Sequence, residues 1–397
     1  MLDFDTALQQ LLDSHSCGLA TLELPLAEAA GRILAEPLYA VYPSPMFDNS
    51  AMDGYAVCDP EGRLKNFTVI SRVQAGEPTA AALQAGQAVR IFTGAPLPEG
   101  TTAVVPQEQT ETDGDSVHIT ADIRPGQHMR LKAEEIEVGQ ALLAAGSRLN
   151  AAALGLAASQ GYEQLSVFQP LNVTVFSSGN EVTEPGKPLG EGKIYDANRY
   201  QMMAWLQARG VAVTDGGILP DDLAGTENAL KQAAATADVI ITSGGASVGE
   251  ADYLKQAVES VGTLSCHTLA IKPGKPFAWG HIGSTAIFVL PGNPVAAFVT
   301  ANMLLLPVLN VLVGQQKRLG LPMVTAQAAF STRKAIKRRE FLRVATAINE
   351  NGRLSAQLLP NQGSAMLATC VAADALCEVP AGTVIQEGDA VKLYLLA

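Results

Sequence analysis

Charge is sparse in this 397-residue chain, at 17% of positions, and basic charge is sparser still: 27 Lys plus Arg stand against 39 Asp plus Glu, a formal net charge of −12. That deficit argues against any partner held mainly through a phosphate backbone, so no nucleic acid is expected. Cysteine is also scarce. Cys17, Cys58, Cys266, Cys370 and Cys377 are odd in number, scattered and without a CxxC pair, which excludes a disulfide framework and a thiolate zinc site and fits a reducing cytoplasm. The histidines His15, His118, His128, His267 and His281 fall in no HxxxH or HExxH spacing, so they announce no zinc site either. The start, Met1-Leu2-Asp3-Phe4-Asp5, is acidic and precedes no apolar run, which speaks against a secretory signal.

Long uncharged runs are nearly absent too. The exception, residues 283–316, is broken by Pro291-Gly292-Asn293-Pro294 and contains Asn302, Pro307 and Asn310; a buried helix, at a subunit contact, is expected there rather than a membrane span. Fixed-period repeats and low-complexity tracts are missing, which removes solenoids and propellers. What is present is a globular composition, 48% hydrophobic with 36 Gly and 22 Pro, over a length that suits about two to four domains.

Helical spacing of Phe4, Ala7, Leu8, Leu11 and Leu12 predicts a helix over 3–14, and a second helical pattern runs from Pro25 through Ala29 and Ala30 to Gly31. Between 45 and 130, Pro and Gly alternate with strand-like runs at 67–70, 88–92 and 103–106, the texture of an inserted β-rich module. Helical texture returns at 150–161, so segments 1–44 and 131–168 read as one helical domain. From 169 to 314, apolar runs at 173–176, 211–213, 239–242 and 287–290 alternate with helical stretches at 199–207, 223–235 and 252–261, as expected of a parallel sheet covered by helices. Residues 315–397 read as a small all-β domain, with strands at 341–345, 375–379 and 390–395.

In doubly wound sheets ligands bind outside the carboxyl ends of the strands, and three such ends here carry acids: Gly179-Asn180-Glu181, Pro220-Asp221-Asp222, and Ser243-Gly244-Gly245-Ala246-Ser247 running on to Asp252. The glycine loop can offer backbone N–H groups to phosphate. Asp221 and Asp252, with Glu181 as a third donor, are ligands of the kind Mg2+ takes when it also holds substrate phosphates. Lys272-Pro273-Gly274-Lys275 sets two ammonium groups across a turn, suited to an anion, and Pro291-Gly292-Asn293-Pro294 opens a helix whose backbone amides form another possible anion cradle. Each segment alone also reads as turn or capping chemistry. The basic cluster Arg333, Lys334, Lys337, Arg338 and Arg339 reads as a solvated face that, with Arg343, could border an anionic ligand.

Taken in order with residues 48–56 (DNSAMDGYA) and Thr93-Gly94-Ala95-Pro96, these motifs resemble the MoeA-type molybdopterin molybdenumtransferases, related to the E domain of gephyrin, over essentially the whole chain. The resemblance implies an elongated homodimer of four-domain subunits: a helical dimerisation domain (1–44 and 131–168), an inserted β-rich domain (45–130), a three-layer molybdopterin-binding α/β domain (169–314) and a C-terminal small β-barrel (315–397). It implies Mg-dependent hydrolysis of adenylylated molybdopterin, release of AMP and insertion of molybdenum from molybdate, with the preceding adenylyltransferase a possible partner. The positions matching Asp53, Thr93, Glu181, Asp221 and Asp252 belong to the family's active cleft, formed between domains of different subunits. Those matching Ser247, Lys272, Lys275, Arg343 and Ser364 line its oxyanion and terminal-phosphate region. Three positions depart from the family pattern: Asn180 replaces a usual Asp, Ala296 a frequent Ser, and 133–136 reads Ala-Glu-Glu-Ile. Two competing readings are a non-catalytic molybdopterin-binding or scaffold paralogue, and the adenylylation step itself, which proteins resembling the α/β domain alone perform.

Overall fold

The computed structural model describes residues 1–245, 253–317 and 319–396. Two compact units emerge. One joins Met1–Glu36, Ala145–Ala151 and Gln164–Ala397; the other joins Pro37–Ala144 and Ala152–Glu163.

In the larger unit, strands Ala212–Ile218, Asn172–Ser177, Val239–Ser243 and Thr285–Leu290 pair in parallel in that order, and the antiparallel strands Pro276–Ile282 and Thr263–Thr268 extend the sheet beyond Thr285–Leu290. The expected parallel sheet is therefore a mixed one. Alternation along the strands divides two cores. Val173, Val175, Ile241 and Phe288 face one side, where helices Phe4–Asp13 and Asn198–Gln207 pack; Phe176, Ile240, Ile287 and Val289 face the other, against Leu230 of Leu223–Ala234 and Leu254 of Tyr253–Val261.

The apolar stretch becomes a helix over Pro294–Leu312, 78% buried across its most hydrophobic window. Its polar residues are satisfied within the protein: Trp205 Nε1 donates to Asn302 Oδ1 at 3.0 Å, and Asn310 Nδ2 donates to the Leu319 carbonyl at 2.6 Å. A π-helical stretch at Ala301–Leu305 ends two residues before Pro307, whose missing N–H cannot serve the regular ladder. The helix expected from Pro25 to Gly31 is instead the end of strand Thr21–Pro25, paired with Gln164–Phe168, followed by a single 3-10 turn at Leu26–Glu28. Gly31 takes a left-handed φ of 75°, so too few residues remain for a helical nucleus. At the C-terminus, strands Arg339–Ile348, Leu354–Leu358, Met323–Ala328, Ala390–Leu395 and Ala375–Val379 close on themselves through the pairing of the first with the last, giving a small barrel around Val344, Ala356, Cys377 and Leu393.

The smaller unit holds a six-stranded sheet ordered Ala103–Pro106, Gly54–Val57, Gln87–Ile91, Asn66–Val73, Ser116–Ile119 and Thr110–Asp113. It is buried on both faces: Ala56, Val89 and Val104 point to one side, Tyr55, Val57, Ala88, Ala103 and Val105 to the other. At Gly54 a Cβ would land on the carbonyl oxygen of Val105, so the glycine of the Asp53-Gly54 pair is required by how closely the neighbouring strand approaches.

Candidate functional site

A cavity of about 1480 Å3 opens where the parallel strands of the larger unit end. Ser178, Gly179, Asn180 and Glu181 follow Asn172–Ser177; Pro220 and Asp221 follow Ala212–Ile218; Gly244 and Gly245 follow Val239–Ser243; Pro291, Gly292, Asn293 and Pro294 follow Thr285–Leu290. All line the cavity, as do Lys272, Lys275 and Ser364.

The loops are stitched together at their roots. The Ser178 amide donates to the Ser243 carbonyl at 2.9 Å and the Gly244 amide to the Leu290 carbonyl at 3.1 Å. Gly244, at φ 89°, has no room for a side chain, since a Cβ would overlap the Ser178 carbonyl oxygen. Gly274, at φ 107°, sits so close to the long helix that a Cβ would lie 2.6 Å from Thr300 Cγ2, which fixes the lysine turn against that helix.

Glu181 and Asp221 bring two carboxylates to the cavity, and Asn180 Nδ2 donates to Asp221 Oδ2, while Lys193 Nζ donates to the Asn180 carbonyl. The amide at 180 thus fixes one Asp221 oxygen. This donor set of hard oxygens, without Cys or His, fits Mg2+. Among the described residues no group of three His, Cys, Asp or Glu is assembled to hold an ion, so a cation here would complete its shell with water and substrate oxygens. Asp252 and Ser247 lie outside the described residues.

The two lysines are not equivalent. Lys272 Nζ lies 2.7 Å from Glu340 Oε1, whereas Lys275 forms no ion pair among the described residues. Arg338, read from the sequence as part of a basic face that with Arg343 could border an anionic ligand, lines the same cavity and donates through Nη1 to the Ile271 carbonyl at 3.2 Å. Tyr195 and Tyr253 add two exposed rings to the lining; neither lies in a strand-end motif, so no sequence signal marks them.

Three expected positions differ from expectation. Arg343 is only 1% exposed and does not line the cavity. Its Nε donates to Thr369 Oγ1 at 3.1 Å and its Nη2 to the Gly363 carbonyl at 3.2 Å, and its guanidinium is held below the ordinary arginine value first by burial, with Cys370 and Glu340 partly opposing that. Its bonds brace the loop that carries Ser364. Ser243 is likewise buried behind the wall, 3.4 Å from Ser177 Oγ, which donates to Asp196 Oδ1 at 2.8 Å. Asp196 in turn anchors Arg199, which also binds Asp215 and Glu184; burial alone would lower Arg199, but its bonds to Asp196 and Asp215 raise it. The helix that opens at Pro294 offers less than expected, because the Val295 amide already donates to the Ser364 carbonyl at 3.0 Å.

Asp53 and Thr93 belong to the smaller unit and meet there: the Thr93 amide and hydroxyl each donate to Asp53 Oδ1 at 2.8 Å. The backbone bond first, then the hydroxyl, hold the Asp53 carboxyl below the usual carboxylate range. Phe92, next in the chain, is gripped by Arg90 and Arg72, whose guanidinium carbons stand 4.6 and 4.8 Å from the ring centroid.

Three family models match the chain in order: the MoeA N-terminal region (domain I and II) over residues 2–161, a probable molybdopterin binding domain over 174–311, and the MoeA C-terminal region (domain IV) over 325–396. The molybdopterin molybdenumtransferase of Haemophilus influenzae is 40% identical over 94% of this chain and 92% of its own. The protein of the same name from Nostoc is 37% identical over 73% and 69%. Among solved structures, a molybdopterin biosynthesis moeA protein from Pyrococcus horikoshii superposes with a TM-score of 0.85 at 26% identity, covering 100% of both chains. With three family regions matched in sequence and the Haemophilus likeness carried over nearly the full length of both proteins, the chain belongs to the MoeA family, the molybdopterin molybdenumtransferases.

Proposed function

We propose that this chain inserts molybdenum from molybdate into adenylylated molybdopterin, hydrolysing the pyrophosphate link and releasing AMP, as the last step of molybdenum cofactor biosynthesis. The observation that carries this reading is the union, in one cavity, of Glu181 and Asp221 with Lys275, Lys272 and Arg338. Such a set can offset phosphate charge from both directions: carboxylates to recruit a divalent cation, and cationic donors to hold an oxyanion.

In this proposal Glu181 and Asp221, with Asp252, hold Mg2+, which when bound neutralises charge developing on the phosphate oxygens. Asn180 keeps one oxygen of Asp221 occupied and the other turned to ligand. Lys275 and Arg338 hold molybdate, Lys272 joins them when it exchanges Glu340 for the anion, and the rings of Tyr195 and Tyr253 receive a flat heterocycle by stacking. Arg343 acts as a positioning residue for Ser364. Asp53 and Thr93 form a second functional pair with Asp53 ionised. The exposed apolar side chains of Tyr39, Val41, Tyr42, Met46 and Phe47 support a homodimer. A cytoplasmic setting and docking of the adenylyltransferase belong to the same reading.

The test is AMP release from adenylylated molybdopterin by the purified protein with Mg2+. Release is expected to depend on molybdate and to yield a molybdenum-loaded product, and Asp221→Asn is expected to lower the rate at least about a hundredfold, as for lost electrostatic stabilisation, while the protein remains folded by circular dichroism. Nucleotide that binds without oxyanion-triggered hydrolysis would reject the transferase reading in favour of a binding-only paralogue.

A further inference from the structure

At the opposite end of the parallel strands from the large cavity lies a second, much smaller cleft of about 30 Å3, lined by Arg32, Arg148 and Arg209 together with Phe168 and Leu171. Leu171 directly precedes strand Asn172–Ser177, and Arg209 follows helix Asn198–Gln207, so the cleft sits where the strands begin. Each arginine is held in place by neutral partners. Arg32 Nη2 donates to the Phe168 carbonyl at 2.8 Å. Arg148 donates through Nη1 to the Gly31 carbonyl at 2.9 Å and through Nη2 to Gln315 Oε1 at 3.1 Å. Arg209 donates to the Trp205 carbonyl at 2.8 Å, its guanidinium carbon 4.2 Å from the centre of the Trp205 ring.

None of the three forms an ion pair among the described residues. That is unlike Arg199, which binds three carboxylates, or Arg339, which binds Asp5 and Glu378. In a chain with 39 acids against 27 bases, three uncompensated guanidiniums around one cleft are a local reversal of sign. Burial first, and then the charge of Arg148, hold Arg209 below the ordinary arginine value, so the two heads repel across the cleft. An anion would turn that repulsion into attraction, and the planar, multi-donor guanidinium forks match oxygens at tetrahedral spacing.

We propose that the cleft is a binding site for a tetrahedral oxyanion of the phosphate or sulfate class, either free or as the terminal group of a phosphomonoester. The proposal does not rest on the transferase reading. Its test is calorimetric titration of the full-length protein, at ionic strength balanced with chloride, in a Lys272→Gln/Lys275→Gln background that silences the lysines of the large cavity. Sulfate and inorganic phosphate are each expected to saturate one site, and phenyl phosphate in a third arm, a phosphomonoester without the nucleotide that the large cavity would also take, tells the free ion from the phosphomonoester by which binds more tightly. Arg32→Gln and Arg209→Gln are each expected to weaken binding at least about tenfold, the loss of a charge-assisted bond. Affinity unchanged in both variants, or no saturable binding of any of the three, overturns the proposal. Because Arg209 also packs on Trp205, a readout independent of substitution accompanies this: crystals soaked in selenate should show an anomalous peak between the three guanidiniums, and an empty cleft at saturating selenate rejects the site.

Discussion

Lys272 and Lys275 stand three positions apart on one turn, yet their electrostatic situations differ. Glu340 lies 2.7 Å from Lys272 Nζ, so an anion approaching Lys272 must displace a carboxylate, whereas Lys275 has no such competitor among the described residues. Lys275→Gln is therefore expected to weaken molybdate binding at least about tenfold, the lower range for a charge-assisted hydrogen bond, and Lys272→Gln to weaken it less. Glu340→Gln should tighten binding, because it releases Lys272 without removing a donor. Titration of molybdate into the three variants ranks them, and an effect of Lys272→Gln equal to or larger than that of Lys275→Gln would remove the asymmetry from the account. The residue types at both positions were legible in the sequence; the asymmetry was not, because Glu340 lies 68 positions further on, 340 − 272, and meets Lys272 only where the short strand Ile271–Lys272 pairs with Arg339–Ile348. Arg343 shows the converse. A resemblance placed it in the anion region, but its neighbours Thr369 and Gly363 enclose it, and enclosure is a property of packing that no motif records.

Strand-to-loop junctions are where local sequence and tertiary packing agree most closely in this protein. The apolar runs at 173–176, 239–242 and 287–290, alternating with helical stretches, mark strands buried on both faces, and the structure packs a core on each side of them, so these strands, their helices and the loops at their ends were legible from pattern and punctuation alone. Elements governed by pairing partners were not. Pro25 to Gly31 has helical spacing, but Thr21–Pro25 finds Gln164–Phe168 across a distance in sequence no window spans, and pairing outweighs a short helical preference. Likewise the helix Phe4–Asp13 gives no hint of its destination, which is the sheet core shared with Val173 and Phe288. Glycines at the junctions carry a testable part of this account. A Cβ at Gly54 or Gly244 would overlap a backbone carbonyl, of Val105 and Ser178 respectively, and backbone yields far less readily than a side-chain tip. Gly54→Ala should destabilise the smaller unit by about 3 kcal/mol or more, the upper range for overpacking, and Gly244→Ala should add left-handed strain to a similar clash in the larger unit. In contrast Gly62, left-handed but with nothing near its Cβ position, should tolerate alanine for about 1–2 kcal/mol. Denaturant midpoints of the three variants decide this, and a Gly54→Ala protein no less stable than Gly62→Ala would show that the strand spacing relaxes freely.

At the scale of the whole molecule, the distribution of exposed apolar surface points beyond one chain. Within the smaller unit, Tyr39, Val41, Tyr42, Met46 and Phe47 each expose close to half of their surface, between 47% and 49%, along nine consecutive positions that include Pro43 and Pro45. Scattered apolar residues are ordinary on a surface, but several in one run form the kind of patch that soluble chains cover by association. The long uncharged helix, the other apolar feature conspicuous in the sequence, is largely consumed inside the larger unit, where Val295, Leu304, Leu305 and Val308 are buried in the sheet core, so it leaves little apolar surface for a partner to cover. A homodimer should therefore depend on the 39–47 run and not on the helix. The chain of 41.5 kDa should elute with a light-scattering mass of about 83 kDa, twice that value. Val41→Asp combined with Phe47→Asp should shift it to the monomer mass with no loss of helical signal, since both side chains are exposed and neither belongs to a buried cluster, and burying two carboxylates without partners in an interface is strongly unfavourable. A variant that remains dimeric would move the contact elsewhere, while a wild-type monomer would mean that this run meets a different partner.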